Sequence, residues 1–466
     1  MIKKIEQIVF IGLVIYTIFY FVESFIIITY PYQISYPEGF ILNQSFIISQ
    51  GLPVYKDISE YPYLVVNYPP IYPFLCAIFV KLFGISFIWG RLITFISSIL
   101  VGFLIYKFLQ RETSKTIAII SALLFISSSY IYKNNPLCRV DMLGLFFSLC
   151  GLYLFLKSNN IGLPILFFLF GLYTKPTFIS APLAVAVFLF LNNKKRALSF
   201  TALMVFFYLI IFFFLNHLTH GEFYKHNFVY NLNTFIFKQA LKHYIWMLQN
   251  HAILILFSLL YVFYSSSGKK PPVLVIYFII SSIVALSVGK IGANMNYFFE
   301  MIALSCILTG LGLGKLRSEI NERAYNYLSL GALSFQLILF AHMPYLTEPT
   351  ATKLSRRVAE QVSEIVANTD GEIISEDAGL LIKNKKNILF QPFEITQLAN
   401  QKIWDQTQFI NDIKNRRFSL IILFFDVDCW VDEERLTSEM VEAIRAHYSV
   451  SRKIGEYYLY QPIHYQ

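Results

Sequence analysis

The side chains that could do chemistry in this sequence sit at the ends of long apolar runs. Glu38, in Ser35-Tyr36-Pro37-Glu38-Gly39, follows the first such run. A carboxylate there can act as a general base toward an acceptor hydroxyl. Ser-x-x-Glu with a proline in the first turn is also a capping box, and spacing alone favours that reading. Asp141, in Cys138-Arg139-Val140-Asp141-Met142, stands where the chain re-enters an apolar run. It suits metal or donor positioning, with Arg139 as a phosphate clamp, as well as it suits a plain helix N-cap. Lys175 lies in Thr174-Lys175-Pro176 between two short apolar stretches. A lysine inside a membrane is costly and points to function, such as holding a lipid phosphate; the competing reading is a helix-end lysine that snorkels.

The run from Lys290 to Tyr297 (Lys-Ile-Gly-Ala-Asn-Met-Asn-Tyr) collects a cation, Asn294, Asn296 and an aromatic ring. It suits a sugar or a phosphate, or is an ordinary polar loop. Arg91 and Glu300 each lie near one end of an apolar run and are expected to neutralise each other as a structural pair. Asp57 and Glu60 read as solvated loop charges. No His-x-x-x-His, Gly-rich phosphate loop, Walker motif or nucleophile elbow is present, which argues against ATP-driven chemistry.

The elements that position these groups are membrane helices. Of 466 residues, 56% are hydrophobic and 14% charged, with 46 Phe and 31 Tyr; soluble domains carry roughly 25% charged residues. The net charge of +9 is read as a topology signal between spans, and no basic face for nucleic acid is found. The five cysteines have no metal spacing and are assigned to packing. The apolar run after Met-Ile-Lys-Lys is too long for a signal-peptide core. Eleven spans are expected, at 8–28, 87–109, 116–132, 142–156, 161–173, 177–191, 198–215, 252–264, 273–288, 297–313 and 325–341. The segment 69–84 is read as an interfacial helix, because only then do Lys194-Lys195-Arg196 and Lys315, Arg317 and Arg323 all fall on the cytoplasmic side. Residues 1–342 then form the membrane domain. Residues 343–466 form a small extracytoplasmic α/β domain with helices at 353–367, 395–413 and 437–447 and strands at 372–375, 387–390, 419–425 and 453–460.

In their order along the chain, Tyr36-Pro37-Glu38-Gly39, Asn67-Tyr68-Pro69-Pro70, Gly90-Arg91, Arg139-Val140-Asp141, Thr174-Lys175-Pro176 and the stretch Gly292 to Glu300 resemble the GT-C superfamily of membrane glycosyltransferases. The likeness is to the bacterial branch similar to protein O-mannosyltransferases and aminoarabinose transferases (family 39-like), and it covers roughly the whole chain. It implies a polytopic helical fold and, by carry-over, Glu38 as catalytic base. It further implies Lys175, Arg139 and Lys290 on the donor phosphate, Asp141 positioning a metal or the donor, and Tyr68, Asn294, Asn296 and Tyr297 on substrate. Pro37 stands where many relatives carry Asp, so a divalent metal, Mg or Mn, is left open.

The implied reaction is a single displacement that moves a sugar from a polyprenyl-phosphate carrier to a glycan, lipid or protein hydroxyl, with inversion, at the outer face of the cytoplasmic membrane. Glu38→Gln is then expected to abolish transfer in a folded protein. The rival readings are a transporter or flippase of lipid-linked sugars, and a non-catalytic scaffold. No inverted repeat supports the transporter.

Overall fold

A computed structural model describes residues 2–463 except 135, 159, 267–269, 342–347 and 430. All eleven apolar stretches fall on helices. Among the described residues four helices are long and apolar enough on their own to cross a bilayer: Val9–Thr29, Phe87–Leu109, Lys194–Leu218 and Met295–Glu319. A fifth crossing is made if Phe237–Asn250 and Ala252–Ser266, bent by 92° at their junction, count as one span. Other apolar helices, such as Ile71–Phe83 and Gly162–Leu172, are shorter. At about 1.5 Å per residue they fall well under the roughly 30 Å of a hydrocarbon core.

Burial sorts the long helices into centre and rim. Within Met295–Glu319, 78% of the most apolar window is buried, against 11% for Lys194–Leu218. The latter turns Phe206, Phe213 and Phe214 outward, as a lipid-facing helix must. Lys115–Ile126, Ala252–Ser266 and Val273–Val284 pack around the central helix.

The chain then forms a small α/β domain. The expected boundary at 342/343 lies outside the described residues; the flanking helices are Glu322–Phe340 and Glu348–Asn368. Strands β1 (Glu372–Ser375), β2 (Phe418–Leu423), β3 (Tyr448–Ile454) and β4 (Tyr457–Pro462) form one sheet in the order β1-β2-β4-β3, with β1 parallel to β2 and the other pairs antiparallel. Three expectations for this domain are corrected. The stretch 387–390 is not a sheet strand: Phe390 instead bridges to Tyr63 in the loop after the helix Tyr36–Ser49. The single helix at 395–413 is two, Pro392–Asn400 and Thr407–Lys414, separated by Lys402 in a left-handed conformation at φ 59°. The strand at 453–460 is a hairpin, β3 and β4, turning at Gly455 with φ 58°.

Two glycines set how closely this domain sits on the rest. Gly39, in the helix Tyr36–Ser49, faces Gly379 of the helix Ala378–Lys383, and Gln33 Oε1 accepts the N–H of both at 3.1 Å. A Cβ on Gly39 would lie 2.6 Å from the Gly379 nitrogen, a backbone atom that cannot step aside. Gly39→Ala should therefore loosen the docked domain, seen as faster limited proteolysis between residues 348 and 463. Unchanged cleavage would show that the contact has slack.

Asp377 caps the Ala378–Lys383 helix through the Leu380 N–H and accepts the Tyr457 hydroxyl at 2.8 Å. Glu376 accepts the Phe424 N–H at 2.7 Å. Burial pushes Glu376 up to about 7 and Asp377 up to about 6. Both carboxyls titrate higher folded than unfolded, so the folded state holds protons that the unfolded chain has released. Their contribution is complete below the ordinary carboxyl range and is lost as pH rises from about 4 through about 7. Hydrogen–deuterium exchange of the sheet in the intact protein, corrected for intrinsic rates, should show stronger protection at pH 5 than at pH 8. Equal or weaker protection at pH 5 would contradict this.

Candidate active site

Glu38 is fully buried and fully engaged. Its Oε1 accepts Arg91 Nε at 2.9 Å and the Cys138 N–H at 2.7 Å; its Oε2 accepts Arg91 Nη2 at 2.9 Å and the N–H groups of Ile34 and Ser35. The last of these bonds is the glutamate half of a capping box. Arg91 is equally buried and uses all five of its N–H donors, two on Glu38 and three on the carbonyls of Ile27, Tyr30 and Tyr32. Burial works against the charge on Glu38, but Arg91 and the amide donors outweigh it and hold the carboxyl below its usual range. Two sequence expectations change here. Arg91 pairs with Glu38 rather than Glu300, because Glu38 is turned inward beneath the first loop. A carboxylate with five donors and no exposed surface is a structural tie, not a base facing substrate. Glu300 accepts the hydroxyls of Tyr277 at 2.5 Å and Ser180 at 2.9 Å, so three helices meet at one buried carboxyl.

A second polar cluster lies at the membrane end of an open cavity. Pro176 cannot extend the helix Gly162–Leu172 and drives Lys175 into an extended conformation at φ −158°, ψ 125°. That turn points Lys175 inward, where only 4% of it is exposed. Its Nζ donates to Asp141 Oδ1 at 2.8 Å and lies 4.2 Å from the Tyr297 ring centre. Asn296 Nδ2 donates to the same oxygen at 2.8 Å, and Arg139 Nε to Oδ2 at 3.3 Å. Asp141 is the first residue of its helix, behind Val140 at the cap, and spends its side chain on these cations instead of capping.

The cavity holds about 590 Å³, the size of a small-molecule site. Arg139, Lys175, Lys290, Tyr68, Asn294 and Tyr297 line it, with Asp141 and Asn296 just beneath. Glu38, Arg91 and Glu300 do not line it. Tyr68 is carried by a tightly held loop. His226 Nδ1 accepts the Val66 N–H at 3.0 Å, Asn231 donates to the Asn67 carbonyl at 2.9 Å and Tyr55 to the Tyr68 carbonyl at 3.0 Å. Gln239 fastens the 288–290 turn through two carbonyls.

The opposite wall comes from the α/β domain. Gln391, Phe393, Glu394, Glu434 and Arg435 all face the cavity, and none was singled out in the sequence. Gln391 bonds Val65 and Tyr63 through its side chain and backbone. Glu394 accepts Asn67 Nδ2 at 2.8 Å and the Tyr36 hydroxyl at 3.2 Å. Arg435 stacks 3.8 Å from the Tyr36 ring centre. No local motif announces these residues; docking alone brings them here.

Among the described residues no group of three His, Cys, Asp or Glu side chains is placed to hold a metal. Asp141, the carboxylate proposed for one, is already occupied by a lysine, an arginine and an amide. That donor set favours an anion over a divalent cation.

A sequence profile described as dolichyl-phosphate-mannose-protein mannosyltransferase matches residues 67–220, about a third of the chain. No curated protein matches the sequence significantly. Among solved structures, ArnT from Cupriavidus metallidurans bound to undecaprenyl phosphate is similar with a TM-score of 0.66 at 14% identity, over 97% of this chain and 98% of that one. The archaeal oligosaccharyltransferase AglB from Archaeoglobus fulgidus, in complex with an inhibitory peptide and a dolichol-phosphate, gives 0.58 at 12% identity, over 97% of this chain and 74% of that one. Over nearly its whole length, α/β domain included, the chain has the fold of ArnT.

Proposed function

We propose that the protein is an inverting glycosyltransferase that takes a sugar from a polyprenyl-phosphate carrier and gives it to a hydroxyl acceptor at the extracytoplasmic face of the cytoplasmic membrane. The observation that carries this reading is the buried Lys175, set with Arg139 and Lys290 along one cavity wall against the single carboxylate Asp141. Three cations against one anion leave a net positive site at helix ends, suited to a lipid phosphate. The profile match and the lipid phosphates named with ArnT and AglB agree with it.

In the displacement, the acceptor oxygen bonds to the anomeric carbon as the bond from that carbon to the phosphate oxygen breaks. The electron pair stays on the departing lipid phosphate. Lys175 and Arg139 meet that charge with donors already held in place by Asp141, so no reorganisation is needed as it develops. Asp141 holds both cations in place before the donor arrives. Tyr68, Asn294 and Tyr297 flank the sugar.

Charge supports the sidedness of this reading. The central helix starts at the cavity, near Tyr297, and ends some 20 residues later at Lys315 and Arg317. Lys194-Lys195-Arg196 open the helix that leads to the loop holding Asn227 and Asn231. Basic helix ends tend to face the cytoplasm, which favours a cavity on the opposite side.

The test is the intact protein in vesicles with radiolabelled undecaprenyl-phosphate hexoses and pentoses. A new glycosidic bond of inverted configuration, read by NMR of the product, supports the proposal. Movement of donor across the bilayer without a new bond would make the protein a transporter.

A further inference from the structure

With Glu38 tied to Arg91, the acceptor hydroxyl needs another group to take its proton. Among the described residues two carboxylates line the cavity, Glu394 and Glu434, and both come from the α/β domain. Glu434 is exposed. Glu394 sits in the first turn of the helix Pro392–Asn400, which is stapled to the first outer loop through Gln391. Its two oxygens accept one side-chain bond each, from Asn67 and Tyr36. Its own backbone N–H adds a third; a carboxylate offers about four acceptor positions, so capacity remains for the cavity, whereas Glu38, with five donors, has none.

The charges are also segregated. Arg139, Lys175 and Lys290 stand on the membrane side with no carboxylate among the lining residues there; both lining carboxylates, Glu394 and Glu434, stand on the domain side, beside Arg435. Inversion needs the leaving phosphate and the incoming hydroxyl on opposite faces of the sugar carbon, so cations and base must stand apart. The neighbours Asn67 and Tyr68 span that gap: Asn67 bonds Glu394 and Tyr68 lies near Lys175 and Asp141.

We propose that Glu394 is the general base, taking the acceptor's hydroxyl proton onto its carboxylate as the new carbon–oxygen bond forms and the lipid phosphate departs. This rests on the glycosyltransferase reading and gives its chemistry to the α/β domain. Burial raises the affinity of Glu394 for a proton, which suits a base working near neutral pH.

The test uses the intact protein, the undecaprenyl-phosphate sugar on which the wild type is active, and undecaprenyl phosphate as binding probe. Glu394→Gln keeps an acceptor for Asn67 or Tyr36, so a merely structural Glu394 predicts near-normal transfer. The base role predicts a fall of about 100-fold or more, with carrier binding within twofold of wild type. Azide supplies a second readout, because it attacks the anomeric carbon without giving up a proton. Glu394→Ala with azide should yield the glycosyl azide and free lipid phosphate. Transfer within threefold of wild type in Glu394→Gln, parallel loss of carrier binding, or no glycosyl azide from a folded Glu394→Ala would each overturn the assignment. A wild type inert toward every donor overturns the glycosyltransferase reading itself.

Discussion

Replacing Lys175 by methionine is expected to lower transfer by about 1,000-fold or more, since a single oxyanion donor is worth roughly 100- to 1,000-fold and Lys175 carries a full charge. Undecaprenyl phosphate binding should weaken at least tenfold in the same variant. The change also strips one partner from Asp141, which keeps Arg139 and Asn296. Breaking a buried pair this way costs roughly 3–5 kcal/mol when nothing replaces the lost partner, so lost activity could reflect lost structure. Lys175→Met with Asp141→Asn separates the two effects. Both charges are then gone, and the asparagine can still accept from Asn296. The double variant should unfold close to the wild-type temperature while binding and transfer stay absent. Transfer within tenfold of wild type in either variant would remove Lys175 from the phosphate site.

Glu38→Gln should fail to accumulate as folded protein. The glutamine amide would point two donors at groups that already donate, among them Arg91 Nη2 and the Ile34 and Ser35 N–H groups. Arg91 would keep its charge with none of its surface exposed. A penalty of roughly 3–5 kcal/mol is a large share of the 5–15 kcal/mol that typically separates folded from unfolded chains. Removing Arg91 as well does not restore balance, because the carbonyls of Ile27, Tyr30 and Tyr32 lose their donors. Glu38→Gln with Arg91→Met is therefore expected to stay well below wild type in thermal midpoint. Yield of monodisperse protein and thermal unfolding in detergent check both. A Glu38→Gln protein as stable as wild type but inactive would return Glu38 to the role of base.

The helical character of the membrane part was legible because lipid demands long apolar stretches, and all eleven expected stretches fall on helices, 116–132 on two α-helices; the number of crossings was not, since among the described residues four helices, or five with the bent pair, are long and apolar enough to span. The gathering of Lys175 and Asp141 was legible for a related reason. A lysine before a proline between short apolar helices is hard to explain unless something holds it, and Asp141 and Tyr297 do. Pairing was not legible. Arg91, Glu38 and Glu300 all stand near the ends of apolar runs, and that position alone does not choose between two carboxylates; the inward turn of residues 30–38 does. The domain's contribution was hidden for a different reason. Glu394 sits in a short amphipathic helix indistinguishable from any surface helix until the 63–67 loop is laid against it. Within the domain, two of the three errors fell at Lys402 and Gly455, where one left-handed residue divides an element; the third, at 387–390, is a stretch that bridges to Tyr63 instead of joining the sheet.

The cavity is assembled from distant parts of the sequence, with Lys175 and Lys290 on one wall and Glu394 and Arg435 on the other. A ribosome makes these walls in order. On the reading above, a nascent chain with its spans inserted but its later residues unmade already has the phosphate cradle and lacks the proton acceptor. Such a chain can hold carrier lipid but cannot spend it, which spares charged donor from wasteful hydrolysis during biogenesis. Completion of the fold, sealed where Gly39 meets Gly379, is then also the moment the enzyme is armed.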